Sequence, residues 1–152
     1  ALGSLKFELL RQYPVGVAMP ATHRLARAKS IALSELANEP LVAYARADYP
    51  EYHATLAELF APIGATPRIA EEHDSAPSLI AAAEIGRGLA IVPECLGILA
   101  GGRLKFRPLL PAPPAVQLGA VFDGPRLPPG AAKFLAAARA AAQPGASKLG
   151  RK

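Results

Sequence analysis

The chain is poor in the residues that most catalytic and metal chemistry needs. Its 152 residues include one cysteine, Cys95, so no intramolecular disulfide can form, which fits a reducing cytoplasm. Cys95 lies beside the end of an apolar run and reads as a packed thiol rather than a nucleophile. The three histidines, His23, His53 and His73, are isolated. None has the His-Glu-x-x-His or cysteine–histidine spacing of a metal site, so no metal or other cofactor is expected. There is no Gly-x-Ser-x-Gly elbow and no glycine-rich phosphate loop. Without a nucleophile–base pair or a metal set, the pattern argues against an enzyme. No segment approaches the apolar length that spans a bilayer. The opening Ala1-Leu2-Gly3-Ser4-Leu5-Lys6 lacks the charged and apolar regions of a secretory signal. A cytoplasmic chain without a membrane partner is the expectation.

The charge balance is basic, +5 from 17 basic and 12 acidic side chains. Arg24, Arg27 and Lys29 form one cluster, and Lys148, Arg151 and Lys152 another. Neither carries interleaved aromatics, and no zinc-finger spacing or RNA-recognition motif occurs. A solvated basic surface explains them better than a nucleic-acid groove. The length suits one domain or two small lobes, and 51% apolar residues can fill a sizeable core.

What is present centres on Arg68 to Pro93, read as strand, capped helix, glycine turn and buried strand. Asp74 and Ser75 have side-chain oxygens that can accept from the free N–H groups of a first helical turn. Pro77 fits that turn because its missing N–H costs nothing there. Leu79, Ile80 and Ala83 recur at helical spacing. Gly86 and Gly88 end the helix, and Leu89 to Val92 is a continuous apolar run, as in a parallel strand covered on both faces. Upstream, Tyr13 to Met19 and Leu41 to Tyr44 read as strands, and about 51–61 as a helix with Tyr52, Leu56, Leu59 and Phe60 on one side. Leu5 to Leu10 fits a strand or a connector. Ser34 is the expected cap of a short helical turn before Asn38. Downstream come a short helix to Ala100, strands at Leu104–Leu109 and Val116–Phe122, and a helix of about 131–142 whose large anchors are Phe134 and Leu135. Residues 143–152 read as a disordered tail. Alternating strands and helices predict an α/β fold with mostly parallel pairing.

Strand–helix units aim helix N-termini at the crevice beyond the strand ends, where α/β sheets bind ligands. Free N–H groups and a partial positive charge there suit a carboxylate or similar anion. The candidate site therefore comprises Asp74, Ser75 and Ala76, together with Asp48, Tyr49, Pro50 and Tyr52 of the loop that opens the preceding helix. Tyr49 and Tyr52 could orient an organic acid with a ring and a hydroxyl. The plainer alternatives are that Asp74 and Ser75 only cap a helix, that Tyr49 covers the surface and that Tyr52 packs inward. His23 reads as an exposed loop residue, and His73 as surface, core or a ligand contact. Glu71 and Glu72 alternate faces on a strand and cannot share one substrate.

Three runs carry a family resemblance: Val15-Gly16-Val17-Ala18-Met19-Pro20-Ala21-Thr22-His23-Arg24-Leu25-Ala26; Ile31-Ala32-Leu33-Ser34-Glu35-Leu36-Ala37-Asn38-Glu39-Pro40-Leu41-Val42; and Leu79-Ile80-Ala81-Ala82-Ala83-Glu84-Ile85-Gly86-Arg87-Gly88-Leu89-Ala90-Ile91-Val92-Pro93. From Tyr13 to Phe122 the chain resembles the effector-binding domain of LysR-type transcriptional regulators. Arg24 departs from the usual proline, and Glu84-Ile85 from the usual small pair. The resemblance implies a periplasmic-binding-protein-like (type II) fold, with 19–91 as effector subdomain two. It further implies that 1–18 are part of subdomain one with a crossover strand, and that 92–142 are the second crossover with the C-terminal part of subdomain one. No counterpart of the family's winged helix-turn-helix, linker helix or first half of subdomain one is found. A small anionic effector in an inter-lobe cleft, a homodimer or homotetramer, and DNA contact only through the missing N-terminal domain are what the resemblance implies. It also makes the helix of about 51–61 a candidate dimer interface and supports the same seven site residues. A transporter's solute-binding protein is the rival with the same architecture; Gly86-Arg87-Gly88-Leu89-Ala90-Ile91-Val92-Pro93 favours the regulator.

Overall fold

A computed structural model describes residues 5–124 and 127–142; the expected tail at 143–152 lies outside them. In chain order the elements are β1 (Leu5–Tyr13), β2 (Val15–Pro20), β3 (Ile31–Ala32), β4 (Leu41–Tyr44), α1 (Pro50–Phe60), β5 (Ile69–His73), α2 (Ala76–Glu84), β6 (Ala90–Pro93), α3 (Cys95–Leu99), β7 (Leu104–Leu110), β8 (Val116–Asp123) and α4 (Pro129–Ala142). They divide between two compact units. One spans Pro14–Ala115; the other takes the described residues up to Tyr13 and from Val116 onward.

In the larger unit, strands run in the order β3-β7-β2-β6. Leu89, just before β6, bridges Leu41 in parallel and so brings β4 and β5 alongside. β4–β5 and β3–β7 are parallel, whereas β2 runs antiparallel to both β6 and β7. In the smaller unit β1–β8 is antiparallel too. The expectation of mostly parallel pairing is therefore wrong. An apolar run reports that both faces are covered; it carries no information on the direction of the neighbouring strand.

Both faces are indeed covered. Leu41, Leu89 and Ile91 join one cluster with Leu56 and Phe60 of α1. Val42, Ala90 and Val92 join a second with Leu79, Ile80 and Ala83 of α2. Alternate residues of β4 and β6 thus face opposite helices, as a two-residue side-chain period requires. α2 closes where Gly86 takes φ 80°, with the Gly86 and Arg87 amides donating to Ala83 and Ala82.

Three local expectations fail. Ser34 lies inside the helical turn Leu33–Leu36; the cap position is Ala32, whose N–H donates to the Glu35 carboxylate at 2.9 Å. The 20–26 loop contains a tight turn, Arg24–Arg27, and His23 is its half-buried cap, accepting from the Leu25 N–H at 3.3 Å. Phe134 is no buried anchor among the described residues: it is 74% exposed, while Leu135 beside it is buried. It belongs to an open apolar groove of the smaller unit with Leu10, Leu118, Phe122 and Leu127.

Candidate functional site

The two expected segments meet. α2 starts at Ser75, whose extended backbone (φ −145°, ψ 156°) is that of an N-cap. Its hydroxyl lies 2.9 Å from the Ser78 hydroxyl, which also reaches the Ser75 carbonyl at 3.0 Å and the Asp74 carboxylate at 3.3 Å. The Asp74 and Ser75 side chains are therefore part of a local network at the first turn. Ala76 is the first helical residue and is half-buried. α1 starts with Tyr49 at the cap position, without a side-chain cap bond, and Pro50 as its first residue. Asp48, Tyr49 and Pro50 are exposed. The Tyr49 hydroxyl donates to the Asp74 backbone carbonyl at 3.3 Å. This contact ties the start of α1 to the start of α2.

Tyr52 turns inward. Its hydroxyl donates to the Ile91 carbonyl at 3.0 Å, and its ring meets Tyr44 edge-on at 5.3 Å. Burial pushes the Tyr52 phenol far above the usual value of 10.0, with the neighbouring Tyr44 adding to the rise. Burial, then Tyr49 and Cys95, also raise the Tyr44 phenol. The sign of the Tyr52 effect is definite. Below the ordinary tyrosine value both folded and unfolded chains hold the neutral phenol. Above it the unfolded chain ionises and the folded chain does not, so stability falls as pH rises past about 10. Tyr52→Phe is expected to cost about 1 kcal/mol at neutral pH through the lost hydrogen bond. It should also flatten the alkaline loss, as urea midpoints at about pH 8 and about pH 11 would register; an unchanged alkaline slope would refute this.

Ser78 and Tyr44 escaped the sequence reading. The Tyr44 ring stacks at a tilt on Tyr49, 4.7 Å between centroids, and so forms the floor under the loop. Ser78 had a legible signal, a second hydroxyl three residues after the cap. Tyr44 had none, because a tyrosine that ends an apolar strand reads as core. His73 is half-buried beside Glu71, 3.6 Å away, and its Nε2 has no hydrogen-bond partner among the described residues. No group of three or more possible metal ligands occurs among those residues. No described helix is long and apolar enough to cross a membrane.

A pair of neighbouring helix starts joined through one tyrosine, on a mixed sheet covered on both faces, has the form of a ligand-binding α/β domain. The family model described as LysR substrate binding domain matches residues 2–143. The chain is 36% identical over 102 residues to the HTH-type transcriptional regulator TtuA of Agrobacterium vitis, covering 67% of this chain and 33% of TtuA. It thus spans about a third of that relative's length. Among solved structures, the regulatory domain of Synechocystis CcmR in complex with 2-PG superposes with a TM-score of 0.77 at 18% identity, over 93% of this chain and 68% of that one. The effector-binding domain of QuiR in complex with shikimate gives 0.68 at 18% identity, over 90% and 65%. Full-length CbnR complexed with target DNA gives 0.74 at 21% identity, over 93% and 50%. The chain belongs to the LysR substrate-binding domain family, whose fold is of the type II periplasmic-binding-protein kind.

Proposed function

We propose that this chain is the effector-sensing domain of a LysR-type bacterial transcriptional regulator. It binds a small anionic metabolite against Asp48, Tyr49, Pro50, Tyr52, Asp74, Ser75 and Ala76, and catalyses no reaction. The observation that carries this reading is the Tyr49–Asp74 hydrogen bond, because it sets two helix N-termini, each the positive end of its helix dipole, beside one another. Tyr49 supplies the exposed ring and hydroxyl, whereas the inward-turned Tyr52 contributes through Tyr44, whose ring it meets edge-on and which stacks on Tyr49. Two structural neighbours were determined with small ligands and one on DNA, which is the behaviour expected of a parent protein that couples sensing to DNA contact.

In this reading residues 19–91 are effector subdomain two, and 1–18 and 92–142 supply the crossovers and the C-terminal part of subdomain one. The parent works in the cytoplasm as a homodimer or homotetramer, contacts DNA through an N-terminal domain outside this sequence, and uses α1 at its dimer interface. A thermal-shift panel on the intact parent tests the reading. Small organic acids such as succinate, benzoate and shikimate should be screened with their amides. At about 100 times its dissociation constant an authentic effector stabilises by about 2.7 kcal/mol. An acid should do so without being consumed while its amide does not. Turnover of the acid, or no response across acids of every size, would overturn the proposal.

A further inference from the structure

The loop 45–49 is held by more than its own turn, and the residues that hold it lie outside the seven assigned to the site. His53, in the first turns of α1, is 4% exposed, and its Nε2 stands 2.6 Å from the Tyr44 carbonyl. A carbonyl can only accept, so Nε2 carries the proton and donates. Tyr44 and its partner His73 are the last residues of their strands, so the ladder stops there. His53 satisfies the carbonyl at the point where the chain leaves the sheet.

Glu72 works on the same point from β5. One of its carboxylate oxygens accepts the Arg46 N–H at 2.8 Å, and the other lies 4.0 Å from His53 Nε2. The Ala45 N–H donates to the His73 carbonyl at 2.8 Å, and the Tyr49 N–H to the Ala45 carbonyl at 2.9 Å. The two side chains therefore hold the first end of the five-residue loop, at Tyr44 and Arg46, to α1 and β5, and the Tyr49–Ala45 backbone bond carries that hold to its far end. The loop's free product is the placement of Tyr49 against Asp74.

We infer that His53 and Glu72 are positioning residues that clamp the 45–49 loop and so hold Tyr49 in the effector site. The functional part of this inference rests on the sensing reading; the clamp itself can be tested without an effector. Amide hydrogen exchange in the full parent chain is the measurement. His53→Leu removes the donor, and His53→Gln returns an N–H near the Nε2 position. Glu72→Ala removes the acceptor at a partly exposed side chain, so it keeps the fold even if His53→Leu does not.

Exchange at the Arg46 and Tyr49 amides should rise about ten-fold or more in His53→Leu and Glu72→Ala, and return most of the way in His53→Gln. The Val42 amide, which donates to Leu89, should keep its protection. A uniform rise at all these amides in Glu72→Ala would mean a merely structural role and would overturn the inference, as would no rise at Arg46. Neither result touches the thermal-shift test above, and failure of that test leaves the clamp standing.

Discussion

Phe60→Ala is expected to destabilise the larger unit by about 3–5 kcal/mol, the usual cost of emptying a buried phenylalanine site. Phe60 is fully buried at the end of α1 and packs in the cluster that contains Met19, Leu36, Leu41 and Leu56. Those residues come from four separate elements, so the space it leaves cannot be closed by one side chain moving. The same substitution at Phe134, 74% exposed, should change the stability of this chain by no more than about 0.5 kcal/mol. Urea unfolding of the two variants, compared at their midpoints, checks both. Equal effects would show that exposure does not govern the difference. A large loss at Phe134 in the full parent would instead show that its groove is covered there, as expected of the C-terminal part of a subdomain.

The contrast between these two phenylalanines shows what was legible. Phe60 could be assigned to the core from the 52, 56, 59, 60 spacing, because a helix flanked by two strands buries the stripe that faces them. Phe134 sits among alanines in α4, where periodicity marks no stripe, so only a neighbour could decide its exposure. Strand positions at Leu41–Tyr44 and after Leu89 were readable for the same local reason. The parallel pairing of β4 with β5 agrees with the expectation, but the antiparallel pairing of β6 and β7 with β2 was not readable, since β2 meets them across long sequence separations. The site followed this division. Asp74, Ser75 and Pro77 announce a helix start within five residues. His53 gives no sign of its task, because its partners Tyr44 and Glu72 lie nine residues before and nineteen after it, on two other elements. What the sequence shows best is the end of each element; what it hides is which ends touch.

Gly88→Ala is expected to cost at least the roughly 1–3 kcal/mol of an overpacked core position, and for a reason different from Gly86 two residues earlier. A Cβ at Gly88 would stand 2.8 Å from the Pro40 carbonyl oxygen and 2.9 Å from the Val42 nitrogen. Both are backbone atoms, and both belong to the stretch where the Leu89 N–H donates to Pro40 and the Val42 N–H donates to Leu89. The methyl group must therefore push β4 away from the start of β6. At Gly86 a Cβ meets nothing within 4 Å, and the penalty comes from φ 80° alone, about 1 kcal/mol. Exchange protection separates the two mechanisms. Gly88→Ala should expose the Val42 and Leu89 amides selectively, whereas Gly86→Ala should loosen the end of α2 and leave them protected. A Gly88→Ala chain with normal urea midpoint and normal Val42 protection would refute the packing argument. Under the proposed sensing role the glycine matters because β4 leads into the Asp48–Tyr52 segment. Any substitution that shifts β4 against β6 also strains the Tyr52–Ile91 hydrogen bond and, through the stacked Tyr44, the seat of Tyr49. Gly88→Ala should therefore weaken effector binding more than its stability loss alone predicts, and Gly86→Ala should not.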